Sequence, residues 1–243
     1  MEEKIAQFKE IIDGSDNIVF FGGAGVSTES NIPDFRSVNG IYNMKYKYSP
    51  EVILSNTFFK QNPEAFYEFY RDKMIFPEAE PNITHRTLAK LEEVGKLKAV
   101  VTQNIDGLHQ KAGSKSVYEL HGSIYRNYCE SCGKFYGLDY ITKSSGVPVC
   151  ECGGIIKPDV VLYGEGLDLQ ILKGAIKSIM AADVLIIGGT SLAVYPASGL
   201  IDYYKGDKLI LINKEPTPQD ERANLVIHEG LGKVFGPVFE SLK

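Results

Sequence analysis

The chain is poor in the features that would place it in a membrane, outside the cell or on nucleic acid. In 243 residues no apolar run approaches the ~20 needed to span a bilayer, which excludes a membrane-spanning helix. The N-terminus, Met-Glu-Glu-Lys-Ile, lacks a basic region followed by an apolar core, so nothing marks the chain for secretion and a cytoplasmic location is expected. Basic residues are outnumbered, 26 Lys and Arg against 31 Asp and Glu, and no long basic run interrupts the net charge of −5. That balance argues against nucleic acid as the main partner, which shows as clustered Lys and Arg. Internal repeats and low-complexity linkers are missing as well. There are only four cysteines, and in a reducing compartment they read as metal ligands or redox groups rather than disulfides. What remains, 44% hydrophobic and 23% charged residues, is the composition of an ordinary globular protein with room for one large core and a smaller module.

Short β-branched or aromatic runs punctuate the chain: IVFF from residue 18, AVVTQN from 99, SVYEL from 116, VVLYG from 160, VLIIGG from 184, LILIN from 209 and LVIHE from 225. Helical patterns lie between them. The alternation predicts an α/β fold, a mainly parallel Rossmann-like sheet covered by helices, with ligands at the carboxyl ends of the strands. Two stretches break the rhythm. Residues 37–81 are aromatic-rich and helical in pattern, as in PEAFYEFYRDKMIF, and residues 125–157 hold all four cysteines with glycines and little apolar periodicity. The expected organisation is a sheet domain of residues 1–36, 82–124 and 158–243, and a small domain of 37–81 and 125–157, a helical module plus a zinc-binding module.

The cysteine spacing is the most legible signal. Cys129 and Cys132 form a C-x-x-C, and after seventeen intervening residues Cys150 and Cys152 form a C-x-C whose spacer is short for a knuckle. Two such knuckles suit one tetrahedral zinc held by four thiolates, which would stand in for a core too small to fold unaided. Four protein sulfurs leave no open coordination position, so the role expected of this zinc is structural. The competing reading is a redox C-x-x-C with two unrelated thiols.

Gly22, Gly23 and Gly25 follow the first strand directly, where glycines let backbone N–H groups approach a pyrophosphate at a helix N-terminus. Thr28 stands where a dehydrogenase fingerprint has its third glycine, and the acid ~20 positions on that such a fingerprint requires is missing. Two further strand ends, Gly188-Gly189-Thr190-Ser191 and Ile212-Asn213-Lys214-Glu215, add small and polar groups suited to phosphate and ribose. Three such ends on one crevice favour a dinucleotide over a simple tight turn. Gln103, Asn104 and Asp106 cluster just past another strand. His121, between a strand and a glycine, is the histidine best placed to take a proton near pH 7. The other three read as structural: His85 packing or capping on a helix, His109 hydrogen-bonding on a helix side, His228 in a strand.

GAGVSTESNIPDFR, TQNIDGLHQKAG, ELHGS, the four cysteines, IKPDVVLYGE, GTSLAVYPAS and LINKE stand in an order and spacing that resemble those of the sirtuins, the NAD-dependent protein lysine deacylases, over nearly the whole chain. The resemblance implies that PDFR belongs to a flap closing over the nicotinamide end of NAD. It implies contacts of Ala24, Thr28 and Arg36 with phosphates and ribose, and shielding of the reactive sugar by Phe35. Gln103 would hold the nicotinamide ribose, and Ile105 and Asp106 the carboxamide. Asn104 would orient ribose or water. Thr190, Ser191, Asn213 and Leu231 would meet the adenosine half. His121 would be the general base, so that acyl-lysine and NAD give nicotinamide, O-acetyl-ADP-ribose and free lysine without catalytic use of the zinc.

By the same resemblance an acetylated peptide or protein would enter between Val160, Val161, Tyr163, Gly164 and Glu165 on one side and Leu192, Ala193, Val194 and Tyr195 on the other, pairing through its backbone. Two further departures from the family pattern are visible, Asn31 for a usual glycine in the flap and Tyr163 for a usual Phe. Sirtuins that prefer succinyl-lysine carry Tyr-x-x-Arg in the aromatic helix, where this chain has Tyr70-Arg71-Asp72-Lys73, so acetyl is the expected acyl group. Mono-ADP-ribosyl transfer and a zinc-ribbon module that senses NAD without turnover are the rival readings, and the oligomeric state is open.

Overall fold

The computed structural model describes residues 1–37, 40–43 and 46–242. Val38, Asn39, Met44 and Lys45, within the first expected insertion, and Lys243 lie outside them. Among the described residues nine strands follow in chain order: β1 (Ile18–Gly22), β2 (Leu97–Thr102), β3 (Val117–Glu119), β4 (Gly122–Cys129), β5 (Phe135–Tyr136), β6 (Ile156–Val160), β7 (Val184–Gly188), β8 (Leu209–Ile212) and β9 (Leu225–Ile227). Six make a sheet in the order β3-β2-β1-β7-β8-β9, parallel at every pairing. β1, β7 and β8 are buried at every residue, because a parallel sheet is covered on both faces and its central strands become continuous apolar runs.

Alternation across the pleat sorts these strands between two cores. Ile18 and Phe20 face the helices Glu2–Asp13, Ile83–Glu93 and Leu231–Ser241, meeting Phe8, Ile12, Leu88, Leu91, Val234 and Phe235. Val19 and Phe21 face the other side, where Ala175 and Ile179 of helix Leu169–Ala181 pack with Leu200 and Ile201. From β1 the chain works outward to β2 and β3, and from β7 outward to β8 and β9, so a crevice opens at the carboxyl ends of β1 and β7.

A second sheet, β5-β4-β6, is antiparallel and shares a separate apolar cluster with the helices Asn56–Gln61 and Pro63–Lys73. Pro63 opens the latter helix at a position that needs no N–H donor. Phe66, Tyr67 and Tyr70 then fall on one face, and the rings of Phe66 and Tyr70 stack at 5.5 Å. One expected strand is reassigned. VVLYG is no strand of the parallel sheet: Val160 ends β6 opposite Gly122, and residues 161–163 leave the ladder. Gly122, at φ +78°, makes that pairing possible, since a Cβ there would stand 1.8 Å from the Asp159 carbonyl oxygen.

The structural histidines also differ in part from expectation. His85 Nδ1 accepts the Asn82 N–H at 3.3 Å while Asn82 Oδ1 accepts Thr84 N–H at 3.0 Å, a capping box. Among the described residues the His109 ring has no hydrogen-bond partner. It is buried edge-on against the His85 ring at 4.7 Å, because its helix is only Leu108–Ala112 and turns that face into the core. His228 lies one residue past β9 with Nε2 3.1 Å from Asp220. Burial pushes His85 down to about 4 and His109 well below the ordinary histidine range. Both are neutral in the fold, whereas the unfolded chain takes up their protons below pH ~6.5. Their stabilising contribution is therefore complete above pH ~6.5 and is lost on acidification below it, for His85 at about 1.4 kcal/mol per pH unit down to its folded value near 4. His85→Gln keeps a capping acceptor and removes one titration, so urea unfolding at pH 7 and pH 5 is expected to show a smaller acid loss in this variant than in the parent.

Candidate active site

The rim of the crevice is stitched by backbone hydrogen bonds that continue the sheet past the strands. Gln103 N–H donates to Gly22 O at 3.0 Å, Gly25 N–H to Gly189 O at 2.8 Å, Gly189 N–H to Ile212 O at 3.1 Å and Asn213 N–H to Ile227 O at 3.1 Å. At this rim the turn after β1 departs from the expected helix. It makes two short 3₁₀ turns, Ala24–Val26 and Thr28–Ser30, because Gly25 is drawn onto Gly189. Among the described residues the N–H groups that open them, on Ala24 and Thr28, have no acceptor within the chain. Asn31 adopts φ 62°, ψ 23°, a left-handed conformation that asparagine tolerates, so the chain bends there without the glycine.

The structure gathers most of the candidate cofactor residues here. Gln103 donates its side-chain amide to Thr190 Oγ1 at 3.1 Å, and Arg36 Nη1 lies 3.5 Å from Ser191 Oγ. Phe35 sits edge-on to Tyr42 at 5.7 Å, and the Arg36 guanidinium lies over the same Tyr42 ring. Asn213 is at the end of β8, its amide turned back to Glu215 O, and buried Leu231 begins the last helix. Ile105 packs against the small-sheet cluster and takes the Ile124 N–H on its carbonyl at 3.1 Å.

A residue outside the expected set ties the polar cluster together. Buried Ser27 accepts from Asn104 Nδ2 at 3.0 Å and donates to Asp106 Oδ2 at 2.6 Å, while Leu108 N–H donates to Asp106 Oδ1 at 2.9 Å. Burial raises the Asp106 carboxyl above its ordinary value, and these hydrogen bonds only partly offset it. Ser27 lies inside GAGVSTES, yet nothing local announces a contact with Asn104 and Asp106 far along the chain.

His121 is two residues past β3. Its Nδ1 lies 2.9 Å from the Gln103 carbonyl, which can only accept, so Nδ1 carries the proton and Nε2 keeps its lone pair. Burial lowers its pKa below the ordinary histidine value, partly countered by that hydrogen bond. Its own carbonyl accepts from Val161 N–H at 3.0 Å, joining the histidine to the expected substrate segment.

That segment is a turn rather than a strand beyond Val160. Tyr163 N–H donates to Leu54 O at 2.9 Å and Asn56 N–H to Tyr163 O at 3.0 Å, so one edge is already occupied. The Tyr163 hydroxyl meets that of Tyr42. In the other expected substrate segment, Leu192 adopts φ 55°, Val194 O accepts Ser198 N–H at 2.9 Å, and Tyr195 is 81% exposed. Among the described residues the backbone groups of Gly164 and Ala193 have no partner within the chain.

The four cysteines converge at the far end of the small sheet. Their Sγ atoms all lie within 4.8 Å of one another, with Cys129 to Cys152 at 3.5 Å and Cys132 to Cys150 at 3.6 Å. Four thiolates around one zinc stand about 3.8 Å apart for bonds of ~2.3 Å, so the set fits that ion. The short C-x-C knuckle closes because Gly154 follows: a Cβ there would lie 2.8 Å from Cys129 Sγ. Tyr136 OH donates to Cys150 Sγ at 3.0 Å, an outer hydrogen bond of the kind that orients metal ligands.

Against this geometry, a family model described as Sir2 matches residues 23–196. The chain belongs to the Sir2 family. A relative from Clostridium acetobutylicum, named NAD-dependent protein deacetylase, is 63% identical and covers 97% of this chain and 98% of its own. One from Clostridium perfringens with the same name is 60% identical over 99% and 100%. Among solved structures, a Sir2 with p53 peptide and NAD⁺ superposes at TM-score 0.87, 42% identical, covering 98% of each chain. A Sir2 with deacetylated p53 peptide and 3′-O-acetyl-ADP-ribose does so at 0.89, 41% identical, again over 98% of each.

A Sir2 zinc ribbon of this size has little core of its own, so metal binding supplies folding free energy. Purified protein is expected to carry one zinc per chain by elemental analysis. Cys129→Ser, or a strong chelator, is expected to unfold the small sheet, read by loss of the β4–β6 amide protection in hydrogen exchange. Full protection without metal would contradict the assignment.

Proposed function

We propose that the chain removes acetyl groups from protein lysine side chains with NAD as co-substrate, releasing nicotinamide, O-acetyl-ADP-ribose and free lysine. The observation that carries the reading is the His121 ring, held by the Gln103 carbonyl through Nδ1 so that Nε2 is the available base, at the carboxyl edge of the sheet. The names of the relatives and the peptide and NAD complexes of Sir2 structures support the same assignment.

NAD, when bound, supplies a ribose carbon made electrophilic by its cationic nicotinamide. The chain's residues then divide the work. The free N–H groups of Ala24 and Thr28 suit phosphate oxygens, with Arg36 adding charge. Thr190, Ser191, Asn213 and Leu231 line the adenosine side, and Gln103 the nicotinamide ribose. Asp106 holds a carboxyl in a dry site beside Ile105, where its remaining lone pairs can receive carboxamide N–H donors, and Asn104 is fixed by Ser27 to orient ribose or water. Phe35 excludes water from the reacting sugar. His121 Nε2, with its lone pair free, would accept the proton of a ribose hydroxyl of bound NAD. An extended peptide lies between Gly164 and Ala193, whose backbone groups are free to pair with it. The zinc, closed by four thiolates, is structural.

The assignment into a sheet domain of 1–36, 82–124 and 158–243 and a small domain of 37–81 and 125–157 is also ours; the separate apolar clusters support it, with the shared strand ends at Gly122 and Val160 as the joint. Among the described residues no helix is long and apolar enough to cross a membrane. A reducing cytoplasm suits four thiols held as metal ligands rather than disulfides.

His121→Ala is expected to fold and bind NAD while deacetylation falls ~10²–10⁴-fold, the usual loss of a general base. In the parent, kcat/KM is expected to fall on acidification only below the ordinary histidine range, since the neutral ring is the active form and its pKa is lowered. Mass spectrometry separates the two enzymatic readings: loss of an acetyl group is deacetylation, gain of ADP-ribose is transfer.

Acyl choice follows from the aromatic helix. Arg71 donates to Ile141 O at 2.9 Å, Ser144 Oγ at 3.0 Å and Gly146 O at 2.7 Å, and Lys73 pairs with Asp72 at 3.0 Å. Tyr70 is wholly buried. With Arg71 engaged inside the fold, Lys73 paired and Tyr70 buried, kcat/KM on an acetyl peptide is expected to exceed that on its succinyl twin; equal efficiency would contradict the reading.

A further inference from the structure

Glu165 ends the proposed substrate segment, where an acidic side chain would be expected to read basic residues flanking the acetyl-lysine. Its carboxylate is instead occupied inside the fold. Oε1 accepts from Asn56 Nδ2 at 2.6 Å, and Oε2 accepts from Leu162 N–H at 2.9 Å and from Lys157 Nζ at 3.1 Å. Glu165 N–H also closes on Leu162 O at 2.9 Å, around Gly164 at φ +90°. Lys157, on β6, folds forward along its own strand, so that Nζ also reaches Pro158 O at 3.3 Å and Val160 O at 3.1 Å. The Lys157 and Glu165 side chains are only 18% and 21% exposed. Asn56 opens helix Asn56–Gln61, and its backbone N–H holds Tyr163 O at 3.0 Å.

We propose that Lys157 and Asn56 are positioning residues for peptide binding, which clamp the two oxygens of Glu165 and thereby set the turn 162–165 that presents Gly164 to the substrate backbone. The inference rests on the proposed entry of peptide along this segment. Its physical basis is that a backbone edge binds an extended chain only if its groups are held in register before the substrate arrives. A turn of four residues containing a glycine has no such rigidity of its own. Two charge-assisted or amide hydrogen bonds from opposite sides supply it. A second consequence is chemical. With both oxygens engaged, Glu165 acts as an internal strut, so this segment reads peptide backbone without selecting for flanking charge.

The test is steady-state kinetics on three acetyl-lysine peptides identical except for lysine, serine or glutamate beside the acetylated residue, with NAD varied separately. Lys157→Met is expected to raise KM for all three peptides about tenfold, since one charge-assisted hydrogen bond of ~1.4 kcal/mol is one decade. kcat and KM for NAD are expected to stay within about twofold of the parent. Lys157→Arg is expected to restore peptide KM, and Asn56→Ala to raise it in the same charge-independent way. A purely structural role would instead lower the active fraction, and so kcat, with KM unchanged. Unchanged peptide KM in both Lys157→Met and Asn56→Ala would overturn the proposal, as would a rise confined to the lysine-flanked peptide, which would make Glu165 a reader of substrate charge. Should Lys157→Met fail to fold by circular dichroism, Asn56→Ala carries the test, and failure of both to fold counts against a positioning role. A parent enzyme inactive on all three peptides would overturn the deacetylase reading itself, whereas an active parent with unaffected variants overturns this proposal alone.

Discussion

The backbone of Gly25 reaches the Gly189 carbonyl at 2.8 Å, an approach that no side chain on either residue would permit. A Cβ on Gly25 would stand 2.7 Å from Gly189 Cα, and one on Gly189 2.5 Å from Val26 N. Because the turns after β1 and β7 lie this close, the chain leaving β1 has no room for an α-helix over the crevice. It coils through two short 3₁₀ turns and bends at Asn31 into the flap that carries Phe35 and Arg36. The course of the segment that carries Phe35 and Arg36 thus follows from one glycine contact between the turns of adjacent parallel strands. The same contact brings Ser27 down to Asn104 and Asp106, so the polar cluster and the flap depend on one geometry.

Two groups at the crevice are shifted by burial in the direction that favours their neutral forms, His121 downward and Asp106 upward. Near neutral pH this keeps the histidine ring unprotonated and therefore able to accept a proton. For Asp106 the shift is opposed by Ser27 and Leu108, whose donors stabilise the ionised carboxylate. A dry site with aimed donors is what a reaction that develops charge at a sugar requires, since hydrogen bonds gain strength when water is excluded.

What the sequence made legible was what is decided over a few residues. The buried runs of β1, β7 and β8 announce a parallel sheet because both faces are covered, and two cysteine knuckles announce a metal because their spacing is chain-local. The long motifs of the Sir2 family then placed the crevice. What escaped depends on distant partners. VVLYG has the composition of a parallel strand, yet Val160 ends β6 opposite Gly122, a pairing set by the glycine's close approach to Asp159. His109 looks like a polar helix residue, but a five-residue helix packed on His85 leaves both ring nitrogens without partners. Glu165 looks like a substrate contact and is held by Lys157 and Asn56, eight and 109 residues away.

His121 is held where the two sheets meet. Arg126 on β4 donates Nη1 to Glu119 at 2.6 Å and Nε to Asp159 at 2.7 Å, so one guanidinium links β3 of the large sheet to β6 of the small one. Exposed ion pairs contribute little to stability, and Arg126 and Asp159 are 38% and 42% exposed, but Glu119 is only 8% exposed and its arm is shielded. His121 lies between Glu119 and Gly122, and its carbonyl takes the Val161 N–H just past β6. Any rotation of the small sheet against the large one must therefore move His121 and Val161 together. The cysteine cluster acts on the same joint from a distance. It holds the far end of β4 and β6, and the near ends of the same strands hold His121 and Val161 in register.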